Sequence, residues 1–223
     1  MDAGNLFDRE IECEDETILT IKQSFIGDVG CVVWDAALVL AKYLETSGFR
    51  RRYGGELTKK RLLELGAGTG ATGLVACRLG ADVILTDLPD FLPLMEMNIQ
   101  TNESALSGSA KARVLKWGDD VADFLPSPDL ILMSDCVYYP ESVGPLVKTL
   151  VDLTNQGGQI ICCYEERTIG QNAEAHRLFD QLMDPHFSVE EIPRGELHPV
   201  YNSEEIHVKQ YRRKTDVSED TLS

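Results

Sequence analysis

Short apolar runs alternate with longer amphipathic segments along this chain, and glycine, proline or acidic residues bound the runs. Five of them read as buried strands: Arg61-Leu-Leu-Glu64-Leu, Asp82-Val-Ile-Leu-Thr-Asp87, Ala112-Arg-Val-Leu-Lys-Trp117, Asp129-Leu-Ile-Leu-Met-Ser134-Asp135 and Gln159-Ile-Ile-Cys-Cys-Tyr164. Two more are predicted over Phe187 to Ile192 and Ile206 to Tyr211. Helices fall between them, from about Thr69 to Leu79, from a proline-opened turn at Pro89 to Thr101, from Pro140 to Thr154 and from Asn172 to Met183. This alternation predicts a mostly parallel seven-stranded α/β sheet with helices on both faces. No helix separates the last two strands, so they are expected to pair antiparallel.

The segment before this core is patterned differently. Thr17-Ile-Leu-Thr-Ile-Lys22 alternates as a strand after the acidic turn Glu14-Asp-Glu16, predicting a β-hairpin appended within residues 1–30. Ala36 to Leu44 is apolar around most of its girth and predicts a buried helix, with Asp35 as its N-cap and Gly48 as its stop. Ser47 to Lys60 reads as a solvated loop. One domain over 1–211 and a polar, disordered tail over 212–223 complete the expected organisation.

The candidate chemistry sits at Glu64-Leu-Gly66-Ala67-Gly68-Thr-Gly70, where a strand meets a tight turn and the start of a helix. Glycines let the backbone approach a ligand closely, and the free N–H groups of the helix start face it. Gly68-Thr-Gly70-Ala-Thr-Gly73 also fits a dinucleotide pattern, with Asp87 at a suitable distance to take a ribose hydroxyl. Glu64 favours a cationic ligand, such as the sulfonium and amino group of S-adenosylmethionine, over a pyrophosphate. At this turn alone both ligands remain open. Glu64, Asp87, Trp117 and Ser134-Asp135 all fall at strand ends, where ligands of such sheets bind.

Charge narrows the partners. Against 37 Asp and Glu stand 21 Lys and Arg, a net charge of −16 that disfavours a nucleic-acid face and suits a basic, lysine-bearing protein segment. Six cysteines without C-x-x-C spacing read as core residues in a reducing, cytoplasmic setting. The four histidines form no ligand cluster, so no metal site is expected, and no apolar run is long enough for a membrane span.

Several stretches together resemble the seven-β-strand (class I) lysine methyltransferases of the methyltransferase-like 21 group. They are Val29-Gly-Cys-Val-Val-Trp34-Asp-Ala-Ala37, Leu63-Glu-Leu-Gly-Ala-Gly-Thr-Gly70, Leu115-Lys-Trp117-Gly118, Asp135-Cys-Val-Tyr138-Tyr139 and Ile160-Ile-Cys-Cys-Tyr164-Glu165 with Arg167-Thr168. The resemblance implies a Rossmann-like sheet with a reversed last strand and S-adenosyl-L-methionine as cofactor. It implies Gly66, Ala67 and Gly68 under the cofactor, Asp87 on its ribose, Trp117 against adenine, Trp34 closing the pocket and Ser134 in contact. Asp135 and Tyr138 become the substrate-channel pair, Asp135 orienting the lysine and Tyr138 lining its path. Glu165, Arg167 and Tyr201 are candidates for the substrate rim. The implied partner is a protein, valosin-containing protein or a similar AAA-type ATPase, with a monomeric enzyme acting on it.

Other assignments compete. Ordinary core packing is the competing reading of Trp34 and Trp117, and a helix cap beside Pro140 that of Asp135. Cys136 has apolar and acidic neighbours and gets no nucleophilic role. A non-catalytic docking module and a nicotinamide-dependent oxidoreductase are the rival functions.

Overall fold

The computed structural model describes residues 3–27, 29–155, 157–167 and 170–215. Asp28, Thr168 and the end of the expected tail, 216–223, lie outside the described residues. The chain opens with a hairpin of β1 (Leu6–Glu12) and β2 (Ile18–Ser24), followed by α1 (Asp35–Glu45) and α2 (Ser47–Tyr53). The core then runs β3 (Arg61–Leu65), α3 (Ala71–Arg78), β4 (Asp82–Asp87), α4 (Leu92–Asn102), β5 (Ser109–Val114), β6 (Leu130–Ser134), α5 (Pro140–Leu153), β7 (Gln159–Glu165), α6 (Asn172–Met183), β8 (Phe187–Glu191) and β9 (Ile206–Arg213).

Seven strands form one sheet in the order β5-β4-β3-β6-β7-β9-β8. Pairings through β7 are parallel, and β9 inserts antiparallel between β7 and β8. Strand order reverses beside β3, so the ends of β3 and β6 diverge and leave a crevice for a ligand. Side chains alternate across the sheet. Leu62, Leu132, Ile161 and Val208 pack toward α1, α3 and α4, while Leu63, Leu65, Ile131 and Cys162 pack toward α5 and α6.

The hairpin is fastened to the core by amides rather than by a strand. Asn98 Oδ1 accepts the Lys22 N–H at 2.7 Å and its Nδ2 donates to the Lys22 carbonyl at 3.0 Å. One turn later along α4, Asn102 does the same to Thr20 at 2.8 and 2.9 Å. Two buried asparagines thus pair with the backbone edge of β2 as a neighbouring strand would.

Five sequence expectations are corrected. The stretch expected to be a solvated loop holds α2, capped by the Thr46 hydroxyl on Phe49 N–H at 3.0 Å and closed by left-handed Gly54. Buried Phe49 packs against Tyr43 and Tyr53, contributing roughly 2 kcal/mol, and Arg52 pairs with Glu190 and Glu196. Gly48 consequently lies inside α2, packed on Glu196, and α1 stops at Glu45; Asp35 is the first residue of α1 and Trp34 holds the cap position. The third core strand is Ser109–Val114 rather than Ala112–Trp117, because its register pairs Asp82 with Ser109 and Asp87 with Val114. Buried Leu115 and half-buried Trp117 gave that stretch its strand-like look, yet both belong to the segment that leaves the sheet for the ligand edge. Finally, β9 continues through Arg212 and Arg213, which the sequence assigned to the tail.

Candidate active site

A cleft of about 450 Å³ opens at the carboxyl ends of β3, β4 and β6. Its floor is the turn Gly66-Ala67-Gly68. Gly66 and Gly68 adopt φ of 60° and 53°, a left-handed conformation that costs other residues free energy. A Cβ on Gly68 would stand 2.5 Å from the Gly30 carbonyl oxygen, and one on Gly66 would stand 2.8 Å from Cys136 Sγ and 3.1 Å from the Trp117 ring. Backbone therefore forms this wall, and Trp117 lies directly against it.

Two carboxylates hold the turn. Asp87, at the end of β4, accepts the N–H of Gly68 at 2.8 Å through one oxygen and that of Leu88 at 2.7 Å through the other. Carboxylate oxygens have further acceptor capacity, and Asp87 borders the cleft. Glu64 is 1% exposed and accepts the Gly73 N–H at 2.8 Å, tying β3 to the first turn of α3. Burial pushes its carboxyl up to about 8, with the Gly73 N–H and the Thr72 hydroxyl opposing the shift. At neutral pH burial therefore favours the protonated acid. A cation beside Glu64 would favour the ionised form instead.

Support from beneath comes from Asn98, whose Nδ2 also donates to the Thr69 carbonyl at 2.9 Å. Sequence reading assigned Asn98 nothing. An asparagine at helical spacing from Asn102 is visible in the sequence, but the strand edge and turn that it joins are distant along the chain.

Across the cleft, β6 ends in half-buried Ser134 and then Asp135, a non-glycine residue with φ of 50°. That strained conformation is over-determined by three bonds. The Asp135 N–H donates to the Cys163 carbonyl at 2.9 Å, Oδ1 accepts the Glu165 N–H at 2.9 Å, and Oδ2 accepts from Arg167 Nη2 at 3.0 Å. Burial raises the Asp135 carboxyl above its ordinary range, while the Glu165 N–H and the Arg167 guanidinium pull the other way. Asp135 is not a helix cap: Tyr139 holds the cap position of α5, without a side-chain cap bond. Tyr138 lines the cleft with its ring 4.6 Å from that of Tyr139.

The remaining candidates divide. Trp34 borders the cleft, 39% exposed, its indole N–H donating to the Val29 carbonyl at 2.9 Å and its ring 5.0 Å from the Arg167 guanidinium carbon. Ala67 borders it as well. Glu165 and Arg167 meet at Asp135. Tyr201 packs instead near Lys42 and His198, on the hairpin side. Cys136 is buried, its thiol donating to the Leu65 carbonyl at 3.2 Å and raised by burial, which leaves it inert as a nucleophile. Among the described residues no group of three or more His, Cys, Asp or Glu is placed to hold a metal ion.

The profile of a family described as "Lysine methyltransferase" matches residues 13–184, which include the Gly turn, Asp87 and the Asp135 segment. The chain belongs to the lysine methyltransferase family. Among its relatives are protein N-lysine methyltransferase METTL21A of Xenopus tropicalis, 34% identical over 74% of this chain and 71% of that one, and EEF1A lysine methyltransferase 3 of Mus musculus, 34% identical over 80% and 73%. Protein-lysine N-methyltransferase EFM6 of Saccharomyces cerevisiae is 34% identical over 84% and 83%. This protein is accordingly a protein-lysine N-methyltransferase.

The fold agrees with that membership. The T. thermophilus 16S rRNA N2 G1207 methyltransferase RsmC, in complex with AdoMet and guanosine, superposes with a TM-score of 0.60 at 18% identity over 95% of this chain and 51% of that one. The putative RNA methyltransferase PH1948 of Pyrococcus horikoshii gives 0.56 at 17% identity over 88% and 92%. At such identities the likeness is one of fold. Membership decides between the two ligands that the glycine turn left open, in favour of a methyl donor over a dinucleotide.

Proposed function

We propose that the cleft seats S-adenosylmethionine, the methyl donor of this enzyme class, between the Gly turn and Trp117, and presents a substrate lysine from the Asp135 side. The observation that carries this is the convergence of the two halves on one cleft, with a backbone wall and Asp87 on one side and Asp135 with Tyr138 on the other. On this reading Asp87 takes the ribose hydroxyls and Trp117 lies along adenine. Gly66, Ala67 and Gly68 carry the cofactor's chain, Glu64 balances its positive charge, and Ser134 and Trp34 complete the enclosure. The bound donor supplies an activated methyl group on a sulfonium.

The protein's own task is to deliver a neutral amine in line. A lysine has a reference pKa near ~10.4, so it arrives as an ammonium without a free lone pair. Asp135 attracts and orients that ammonium, and the aromatic rings of Tyr138 and Trp34 reduce its solvation, which favours loss of a proton to water. Asp135 is already occupied by two donors, which fits an orienting group better than a strong base.

Within that chemistry, the substrate is a lysine of valosin-containing protein or a similar AAA-type ATPase, and the enzyme acts as a cytoplasmic monomer. Support comes from the sequence resemblance at Val29–Ala37 and Ile160–Arg167, from the acidic chain and from six buried cysteines. No described helix is long and apolar enough to cross a membrane. The mouse relative's name instead carries EEF1A. Incubation with isotope-labelled S-adenosylmethionine and either protein, read by peptide mass spectrometry, tests the assignment. Label on a lysine of valosin-containing protein supports it, whereas label confined to EEF1A transfers the substrate to the elongation factor.

A further inference from the structure

We infer that Arg167 stands in the place of the substrate's ammonium, and that a lysine enters by exchanging with it at Asp135. The inference rests on the reading of Asp135 as the group that receives the lysine. Arg167 Nη2 donates to Asp135 Oδ2 at 3.0 Å and to Glu165 Oε2 at 2.7 Å, and Nε donates to the same Glu165 oxygen at 3.1 Å. Its guanidinium carbon lies 5.0 Å from the ring of Trp34, a wall of the cleft. A carboxylate on one side and an aromatic face on the other make a site for a cation. The other Asp135 oxygen is already taken by the Glu165 N–H. Hence the oxygen that Arg167 occupies is the one that a substrate would claim.

Arginine suits this post because its guanidinium stays protonated and keeps no nucleophilic lone pair, so the resident cation does not consume methyl groups. The bonds are also divided unequally. Arg167 gives Asp135 one hydrogen bond and Glu165 two, so exchange costs a single charge-assisted bond while Glu165 keeps the side chain nearby. Only an incoming cation repays that loss, and a neutral side chain such as glutamine does not. Arg167 is therefore a specificity-determining, positioning residue.

Arg167→Lys provides the test, since it puts an amine where the guanidinium was. Having lost one proton to water, that amine uses its lone pair to form the new N–C bond as the S–C bond breaks toward sulfur, giving a methylated ammonium and S-adenosylhomocysteine. Purified Arg167→Lys and wild-type protein are each incubated with labelled S-adenosylmethionine, alone and with valosin-containing protein or EEF1A, and labelled sites are mapped by mass spectrometry. The expected result is label at position 167 in the variant alone, at a rate independent of protein concentration. A variant that binds S-adenosylmethionine by calorimetry yet carries no label there, while wild type labels a partner lysine, overturns the inference and leaves the functional reading intact. Label at 167 without transfer to either partner supports the inference and faults only the choice of substrate. Absence of label in every reaction overturns both. Arg167→Gln adds an independent readout: removal of the competing cation should lower KM for the protein substrate about tenfold, the worth of one charge-assisted hydrogen bond, with kcat changed less. An unchanged or raised KM contradicts exchange.

Discussion

The two sides of the cleft are built on different principles. On the glycine side, the contacts run from the turn backbone to fixed side chains: Gly68 N–H to Asp87, Gly73 N–H to Glu64, and the Thr69 carbonyl to the Asn98 amide. On the Asp135 side, the backbone of a strained residue is tied to the Cys163 carbonyl, while its carboxylate is held by the Glu165 N–H and by a half-buried arginine that is shared with Glu165. A ligand that is the same in every turnover is best met by a rigid wall. A substrate that must enter, react and leave is better met by bonds that can be exchanged. On the proposed reading, function divides along the same line as the two kinds of bonding.

Substitutions can break that division, and the largest effect belongs to the rigid wall. Gly68→Ala must find room for a Cβ beside the Gly30 carbonyl while holding a left-handed backbone. It should abolish measurable cofactor binding in calorimetry and lower stability by ~2–4 kcal/mol in urea unfolding. Retained binding would show that the wall is more pliable than it looks.

Next comes Glu64. Burial pushes its carboxyl up to about 8 from the ordinary 4.5, so its contribution to stability is fully present below about pH 4.5 and is lost as pH rises through about 8. Each pH unit inside that window removes up to ~1.4 kcal/mol of stability. Glu64→Gln keeps an acceptor for the Gly73 N–H and should flatten this slope in urea titrations across the window. A slope equal to that of wild type would place the proton elsewhere.

Smaller effects separate the halves by function. Asp135→Asn retains an acceptor for the Glu165 N–H but loses the charge that orients an ammonium, and should lower kcat about 100-fold by misplacing the amine. Asp87→Asn keeps the bond to Gly68 and weakens the charged acceptor, so the cofactor Kd should rise about tenfold in calorimetry.

Much of this arrangement was legible in the sequence wherever the signal was local. The apolar runs ending in Asp87 and Ser134-Asp135 put those groups at strand ends, and the glycine spacing marked the turn. Legibility failed where a side chain is defined by distant partners. Phe49 turns a polar-looking stretch into α2 because Tyr43 and Tyr53 sandwich it, and Trp117 mimics a strand residue while it packs against Gly66. Asn98 and Asn102 carry no motif, since the β2 edge that they satisfy is about 80 residues away. Arg167 was visible only as a rim candidate, and its contact with Asp135 bridges β6 and the end of β7.

One measurement tests the division most directly: cofactor affinity by calorimetry and methyl transfer at saturating S-adenosylmethionine, compared for wild type, Asp87→Asn and Asp135→Asn. The account predicts that Asp87→Asn binds about tenfold more weakly yet transfers at nearly the wild-type rate once saturated, while Asp135→Asn binds normally and transfers about 100-fold more slowly. Full-rate transfer by Asp135→Asn, or a loss of cofactor affinity equal to that of Asp87→Asn, would contradict it.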